Sequence, residues 1–379
     1  MSDLFSEPPP SSRRPAGKAA KPAAQPDTGA TPAYDASAIE VLEGLEPVRR
    51  RPGMYIGGTD ETALHHLAAE VLDNAMDEAV AGHASTIDVT LSVGNRLTIR
   101  DNGRGIPVDP HPRFPDRSAL EVILTTLHAG GKFSGKAYAT SGGLHGVGSS
   151  VVNALSSRME VEIARDRAIW QQAYERGLPV TPLEKTGATQ NRRGTQIAFV
   201  PDTQIFGTHQ FVPARLYKLC RSKAFLFRGV TIRWACDPAL IKSGDDTPTE
   251  AVLHVPGGLA DSLTDERGPN APLLTPLWAG DAALPPAADG TDNGRVEWAV
   301  AFLESSSATL ASYCNTIPTP PGGTHETGLR NAPVKGLRTW GDPSSNKKAA
   351  AITAEDVLGR IAAKLPVVIL SLLYIFEPS

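Results

Sequence analysis

The stretch from Leu64 to Val80, LHHLAAEVLDNAMDEAV, constrains the fold more than any other part of the chain. Its apolar residues recur at steps of three and four, which predicts an amphipathic helix with one face in a core. Glu70, Asn74 and Asp77 share a second face beside the apolar one. Such a row could activate a water and hold a cation, although on an isolated helix it is more often a solvated face. The residues that follow favour the first interpretation.

Alternating apolar residues come next and predict a β-hairpin. Residues 87–93 form the first strand of the pattern, Gly94-Asn95 is a two-residue turn signal, and the second strand ends at Asp101. Asp101 is followed by Asn-Gly-Arg-Gly, which ends at Gly105. An acid at a strand end with glycines behind it lets the backbone approach a flat ligand closely, but alone this run is more often a simple turn.

Two further glycine clusters follow in order. Gly130-Gly131-Lys132-Phe133 is the first, and the second runs from Ser141 to Gly148 and leads into a predicted helix over residues 151–155. Glycines before a helix expose backbone N–H groups and the positive end of the helix dipole to an anion. The chain therefore carries an acid-bearing helix, a strand-end aspartate and a glycine-rich loop in one run.

These three motifs resemble the N box and the two G boxes of the Bergerat-fold (GHKL) ATPases. Longer runs resemble the B subunits of bacterial type IIA topoisomerases: EGLEPVRRRPGMYIG from Glu43, HAGGKF from His128, and PGGTH from Pro321. The resemblance covers nearly the whole chain after Tyr34. It implies an α+β fold class, namely a Bergerat-fold ATPase sandwich followed by a second α/β transducer domain that is incomplete at its C-terminus.

Composition and resemblance together predict three regions. Residues 1–33 are rich in Pro, Ala, Ser, Lys and Arg and are expected to be disordered. Residues 34–245 would form the ATPase domain with an N-terminal dimerisation arm, and 250–379 the transducer domain. Near the C-terminus we predict a helix over 353–364, because Thr353 and the following acids suit a helix start.

The resemblance assigns ATP as the nucleotide, Mg2+ as the metal and these roles in hydrolysis. Glu70 would be the general base, and Asn74, one turn later, would bind the Mg2+. Asp101 would accept a hydrogen bond from the adenine amino group, and Gly105 would let the base lie flat. Thr195, at the start of a predicted strand, matches a threonine that shares a water with this aspartate.

Further residues of the site are assigned by the same resemblance. Glu78 and Arg104 would form a salt bridge beside the adenine, and Arg165 would lie at the pocket mouth where aminocoumarin antibiotics contact the family. Tyr34 and Ile39 match arm residues that cross to the other protomer. The expected phosphate contacts come from Lys132, Tyr138 and the second glycine cluster: Gly143, Leu144, His145, Gly146, Val147 and Gly148.

The resemblance predicts an ATP-driven gate that passes DNA, decatenating and relaxing chromosomes. Expected partners are DNA, a second copy on ATP binding, and the A subunit of topoisomerase IV in a heterotetramer of two A and two B subunits. No apolar span or signal is visible, and three cysteines show no paired spacing. We expect a bacterial cytoplasmic, nucleoid-associated protein with no membrane partner. The net charge of −4 provides no global basic field for DNA.

Alternative functions remain open at this stage. The B protein of gyrase is one, because residues 315–319 favour the topoisomerase IV branch only slightly. A sensor histidine kinase would need an upstream phosphoacceptor histidine, and residues 1–33 contain none. A nucleotide-binding switch with little hydrolysis is the third. Glu377-Pro378 resembles the lead-in to a glutamine-threonine-lysine loop that in this family reaches the γ-phosphate, and the sequence ends there.

Overall fold

The computed structural model describes residues 41–131, 146–267, 272–286, 294–304, 308–314, 317–341 and 351–369. The chain divides into units Met1–Leu42 and Glu43–Ser379, and the description below concerns the second. Within these ranges no helix is long and apolar enough to cross a membrane. The helices are α1 (Glu46–Arg50), α2 (Gly53–Ile56), α3 (Glu61–Val80), α4 (Ala119–Thr125), α5 (Gly148–Ala154), α6 (Thr203–Phe206), α7 (Pro213–Leu226), α8 (Leu259–Arg267), α9 (Thr324–Gly341) and α10 (Ala354–Leu358), with a 3-10 turn at Pro238–Leu240.

The strands in the described part of the chain form two principal sheets and a separate small hairpin. Their bounds are β1 (Thr86–Ser92), β2 (Arg96–Asp101), β3 (Pro110–His111), β4 (Phe114–Ser118), β5 (Ser156–Arg165), β6 (Ala168–Glu175), β7 (Leu178–Pro179), β8 (Glu184–Ala188), β9 (Gly194–Pro201), β10 (Thr231–Cys236), β11 (Glu250–Leu253), β12 (Trp278–Ala283), β13 (Gly294–Phe302), β14 (Thr309–Cys314), β15 (Ile317–Pro318) and β16 (Ile361–Ile369).

The first sheet has the order β11-β10-β1-β2-β9-β5-β6-β7, with β8 also paired to β6. Only β1 and β10 pair in parallel among its described pairs, so the sheet is largely antiparallel, as expected. The predicted hairpin is confirmed. Gly94 and Asn95 at its turn have φ of 76° and 60°, which suits the tight connection between twisted strands.

Helix α3 covers one face of this sheet. Asp60 caps its start, since Oδ1 accepts a hydrogen bond from the backbone N–H of Ala63 at 2.8 Å. Its apolar stripe is fully buried at Leu64, Leu67 and Leu72. Helices α4 and α5 contribute to the same core, which includes the sheet residues at 199 and 234. The predicted α+β sandwich is therefore confirmed, with α3 at its centre.

The second sheet has the order β12-β13-β16-β14-β15. The predicted helix over 353–364 is wrong in its second half, because α10 ends at Leu358 and β16 begins at Ile361. The predicted start of this helix is confirmed, since Thr353 is its N-cap and forms a capping box with Asp356. Residues 361–367 are buried and hydrogen-bond to β13 and β14, and this pairing on both sides outweighs local helix propensity.

Two smaller observations concern earlier expectations. Cys220, Cys236 and Cys314 are free thiols, which agrees with the lack of paired spacing among the three cysteines. Residues 250–253, which the sequence assigns to the second domain, pair with β10 at the edge of the first sheet. That pairing places the end of the first sheet a few residues later than the composition change suggests.

Candidate nucleotide-binding site

Asp101 lies at the end of β2 with its side chain directed into the sandwich, 7% exposed. Its Oδ1 accepts hydrogen bonds from the backbone N–H of Gly103 at 2.7 Å and of Thr195 at 3.3 Å. Both of these donors are backbone N–H groups, and among the described contacts no cation pairs with this carboxylate. Burial raises the pKa of Asp101 to about 6, although these hydrogen bonds act in the opposite direction.

Glycines shape the backbone around this carboxylate. Gly105 has a φ of 77°, and a Cβ there would lie 3.1 Å from the carbonyl oxygen of Ala164. Gly194 has a φ of 117°, and any Cβ there would overlap the carbonyl oxygen of Asp101. The close approach of β9 to the end of β2 therefore depends on a glycine at position 194.

Glu78 and Arg104 form the ion pair that the resemblance implies. Glu78 Oε1 lies 2.7 Å from Arg104 Nη2, and Oε2 accepts from the Arg104 backbone N–H at 2.9 Å. A Cβ at Gly103 would lie 2.6 Å from Glu78 Oε2, so the turn packs directly on this carboxylate. The pair ties α3 to the turn after Asp101, and its role beside an adenine ring remains a prediction.

Glu70 and Asn74 face the start of α5. Glu70 is exposed, and its carboxylate occupies the space that a side chain at Gly148 would need. Asn74 donates from Nδ2 to Ser149 Oγ at 3.1 Å. Asp77 belongs to the same predicted row but is only 4% exposed, because the last turns of α3 are buried on more sides.

The opposite rim of the site is formed by β5, β9 and the turn after β2. Thr195 Oγ1 accepts from the backbone N–H of Ile106 at 3.2 Å, and Arg165 Nη1 donates to the carbonyl oxygen of Gly105 at 2.9 Å. These contacts bring Thr195 and Arg165 to the same turn that carries Gly105. The structure thus gathers residues from four distant parts of the sequence around Asp101.

The glycine-rich loop is described only at its end. Gly146 and Val147 immediately precede α5, and Gly146 has a φ of 61°. The other predicted residues of the loops and the arm lie outside the described residues, and their roles stay predictions: Tyr34, Ile39, Lys132, Tyr138, Gly143, Leu144 and His145.

The structure also adds site residues that were not singled out from the sequence. Asn102 Oδ1 accepts from the backbone N–H groups of Ser85 and Thr86, at 2.8 and 3.0 Å, which fixes the strand end. Its position directly after Asp101 was the available signal. Asp73 pairs with the buried Lys223 of α7 at 2.6 Å. No sequence signal links those two residues, because they are far apart in the chain.

Two known protein families match separate parts of the chain. Residues 59–205 match the family described as histidine kinase-, DNA gyrase B-, and HSP90-like ATPases. Residues 263–371 match the DNA gyrase B family. The fold and these two matches therefore define a GHKL ATPase domain followed by a gyrase B-type second domain.

Individual proteins that are similar to this chain are named topoisomerase 4 B subunits. The B subunits of DNA topoisomerase 4 from two bacteria are similar over 89% of this chain and 48% of their own length, at 53% identity in Bartonella bacilliformis and 54% in Caulobacter vibrioides. The chain spans about half the length of the curated relatives it matches.

The solved structures that resemble this chain are ATPase domains of gyrase and topoisomerase IV. The 43K ATPase domain of Thermus thermophilus gyrase B, in complex with an aminocoumarin, is 34% identical with a TM-score of 0.69, covering 85% of this chain and 80% of that one. The topoisomerase IV ATP-binding domain of Francisella tularensis, in complex with a small-molecule inhibitor, is 32% identical with a TM-score of 0.65, covering 86% and 82%. The chain belongs to the family of type II topoisomerase B subunits, the gyrase and topoisomerase IV B proteins.

Proposed function

We propose that this chain binds and hydrolyses ATP as the gate of a bacterial type II DNA topoisomerase, in the role of the topoisomerase IV B protein. The observation that carries the proposal is the buried carboxylate of Asp101, held by backbone N–H groups beside Gly105. Glu70 and Asn74 complete the site from α3. The naming of the relatives supports topoisomerase IV over gyrase.

The adenine end of the site fits an amino group. An ionised carboxylate accepts hydrogen bonds only, so Asp101 can receive an N–H donor from the ligand. Gly105, at positive φ, keeps the turn free of a side chain against β5 and β9. A flat base could therefore lie against this backbone while its exocyclic amine points at Asp101.

The hydrolytic end fits a water and a magnesium ion. Glu70 is exposed and one turn from Asn74, so its carboxylate can take the proton of an attacking water. The carboxamide oxygen of Asn74 is the kind of hard ligand that Mg2+ prefers, and one protein ligand suffices where phosphates and waters supply the others. When bound, Mg2+ would neutralise charge on the phosphates.

At the level of the whole protein we propose that ATP binding brings two copies together and closes a gate on DNA. The A protein of topoisomerase IV, in a tetramer of two A and two B subunits, would supply DNA cleavage, and the complex would work at the bacterial nucleoid. Aminocoumarin-type inhibitors are proposed ligands, since one occupies the Thermus gyrase B structure. Gyrase activity, or a nucleotide switch with slow hydrolysis, is the alternative outcome.

The test is Glu70→Ala. We expect nucleotide affinity to stay within about threefold of wild type, while the rate of ATP hydrolysis falls by on the order of 10²–10⁴. Calorimetry with a non-hydrolysable analogue gives affinity, and radiolabelled ATP gives the rate. Glu61→Ala is the matched control, because Glu61 starts the same helix and pairs on the surface with Arg215. Equal losses of affinity and rate in Glu70→Ala would assign it a structural role.

A further inference from the structure

Helix α7 lies alongside α3, the helix that carries the proposed base and metal ligand. At their starts, Arg215 Nη1 lies 2.7 Å from Glu61 Oε1 on the surface. Nearby, the backbone N–H of Val212 donates to Nε2 of the buried His65 at 3.0 Å. The two helices therefore run side by side in the same direction from a common end.

Their second connection is buried. Lys223 Nζ lies 2.6 Å from Asp73 Oδ1, and the two side chains are 3% and 20% exposed. An ammonium at this depth requires a close opposite charge, because its desolvation is otherwise uncompensated. Asp73 directly precedes Asn74 and follows Glu70 by three residues. The ion pair therefore restrains the turn of α3 that presents both residues to the site.

Two and three residues after this lysine, the side chains of α7 belong to a second hydrophobic core. Phe225 and Leu226 pack in the cluster formed by α8 and the second sheet. Lys364 of β16, only 1% exposed, lies with its Nζ 4.0 Å from the Phe225 ring centroid. The same ammonium donates to Ser262 Oγ and Glu266 Oε1, both at 2.6 Å. The end of α7 is thus held by the second domain.

We propose that Lys223 is a positioning residue for ATP hydrolysis, which transmits the placement of α7 by the second domain to Glu70 and Asn74. This inference rests on the proposed function of the site. Among the described contacts, Lys223 is linked to Glu70 and Asn74 through Asp73, which lies on the same turn of α3. A small rotation of that turn would move Glu70 away from the attacking water and Asn74 away from the metal ion that it would bind.

The first test compares Lys223→Met with Arg215→Met. Both remove an α3–α7 ion pair, but the second lies at the far end of α3. We expect Lys223→Met to lower the hydrolysis rate on the order of tenfold, with analogue affinity within about twofold of wild type. Arg215→Met should leave both within about twofold. Lys223→Arg, which keeps the charge, should recover most of the rate.

Hydrogen exchange provides a readout that needs no turnover. Amides of residues 70–77 should exchange faster in Lys223→Met than in Arg215→Met, with the sheet amides unchanged. If Lys223→Met fails to fold, the double variant Asp73→Asn, Lys223→Met, which removes both charges of the pair, takes its place with the same expectations. Equal rates and equal exchange in the lysine variant and the arginine control would overturn the inference.

The link to the second domain is tested by Lys364→Met and by its combination with Lys223→Met. If both lysines act on the same helix, Lys364→Met should lower the rate, and the double variant should lose little more than Lys223→Met alone. Fully multiplicative losses would refute the shared route. Wild-type chain that neither binds nor hydrolyses ATP would instead contradict the proposed function, so the two failures are distinguishable.

Discussion

Replacing Asp101 by asparagine should strengthen the fold and weaken the nucleotide site at the same time. The carboxylate is 7% exposed and has no neutralising cation among the contacts that the structure describes for it, only two backbone N–H donors to Oδ1. Asparagine keeps an oxygen in the position of Oδ1 and removes the charge. Its Nδ2 takes the place of the second oxygen and donates where the carboxylate accepts.

The size of the stability gain follows from the pKa. Burial raises the pKa of Asp101 from 3.8 to about 6, which corresponds to about 3 kcal/mol of preference for the neutral form in the folded protein. The amide has its own burial cost, so we expect a gain in unfolding free energy of about 1–3 kcal/mol near neutral pH. Loss of part of the hydrogen-bond strength to Gly103 and Thr195 limits the gain.

The gain should depend on pH with a defined sign. Because the folded pKa lies above the unfolded one, the folded protein binds more protons in between, and wild-type stability falls as pH rises from about 4 to about 6. Asparagine does not titrate. The difference between variant and wild type should therefore be small below about pH 4 and complete above about pH 7.

Affinity should move the other way, with adenine nucleotides bound about 1–3 kcal/mol more weakly. Denaturant unfolding at about pH 4 and about pH 8 measures the first effect, and calorimetry with a non-hydrolysable ATP analogue measures the second. Asp88→Asn on β1 is the control, since Asp88 is partly exposed and faces Arg233 at 3.7 Å. A variant no more stable than wild type at the higher pH, or one with unchanged affinity, would refute the reasoning.

Two further predictions concern the frame of the site and its assembly. Gly194→Ala should cost more than about 3 kcal/mol of stability, because its Cβ would overlap the Asp101 carbonyl; Gly82→Ala, also at positive φ but with open space, should cost about 1 kcal/mol. Equal melting temperatures for these two variants would contradict the close-approach argument. Deleting residues 1–40 should preserve nucleotide binding and prevent the dimerisation that a non-hydrolysable analogue induces, as measured by light scattering. A deletion variant that still dimerises would refute the proposed role of the arm.

Local sequence pattern alone predicts several of the secondary-structure elements of this protein. The helix over 64–80 and the hairpin around Gly94-Asn95 are encoded by periods of 3.6 and 2 within a few residues, so the structure reproduces both. The cap at Ser118 is local for the same reason, and its side chain accepts from the Glu121 N–H at 3.1 Å. The candidate site residues could be assigned from the resemblance, because the motifs and their order along the chain are visible in the sequence.

Other features of the protein depend on residues that are distant in the chain, and these features arise only in the tertiary structure. Residues 361–364 have no local reason to be a strand, and only pairing with β13 and β14 makes them one. Gly194 matters because β9 lies against Asp101, and Lys223 matters because α7 lies against Asp73. Such contacts join segments separated by many residues, and their free energy exists only once the chain has closed those loops. The raised pKa of Asp101 has the same origin, since burial belongs to the fold and not to the residue.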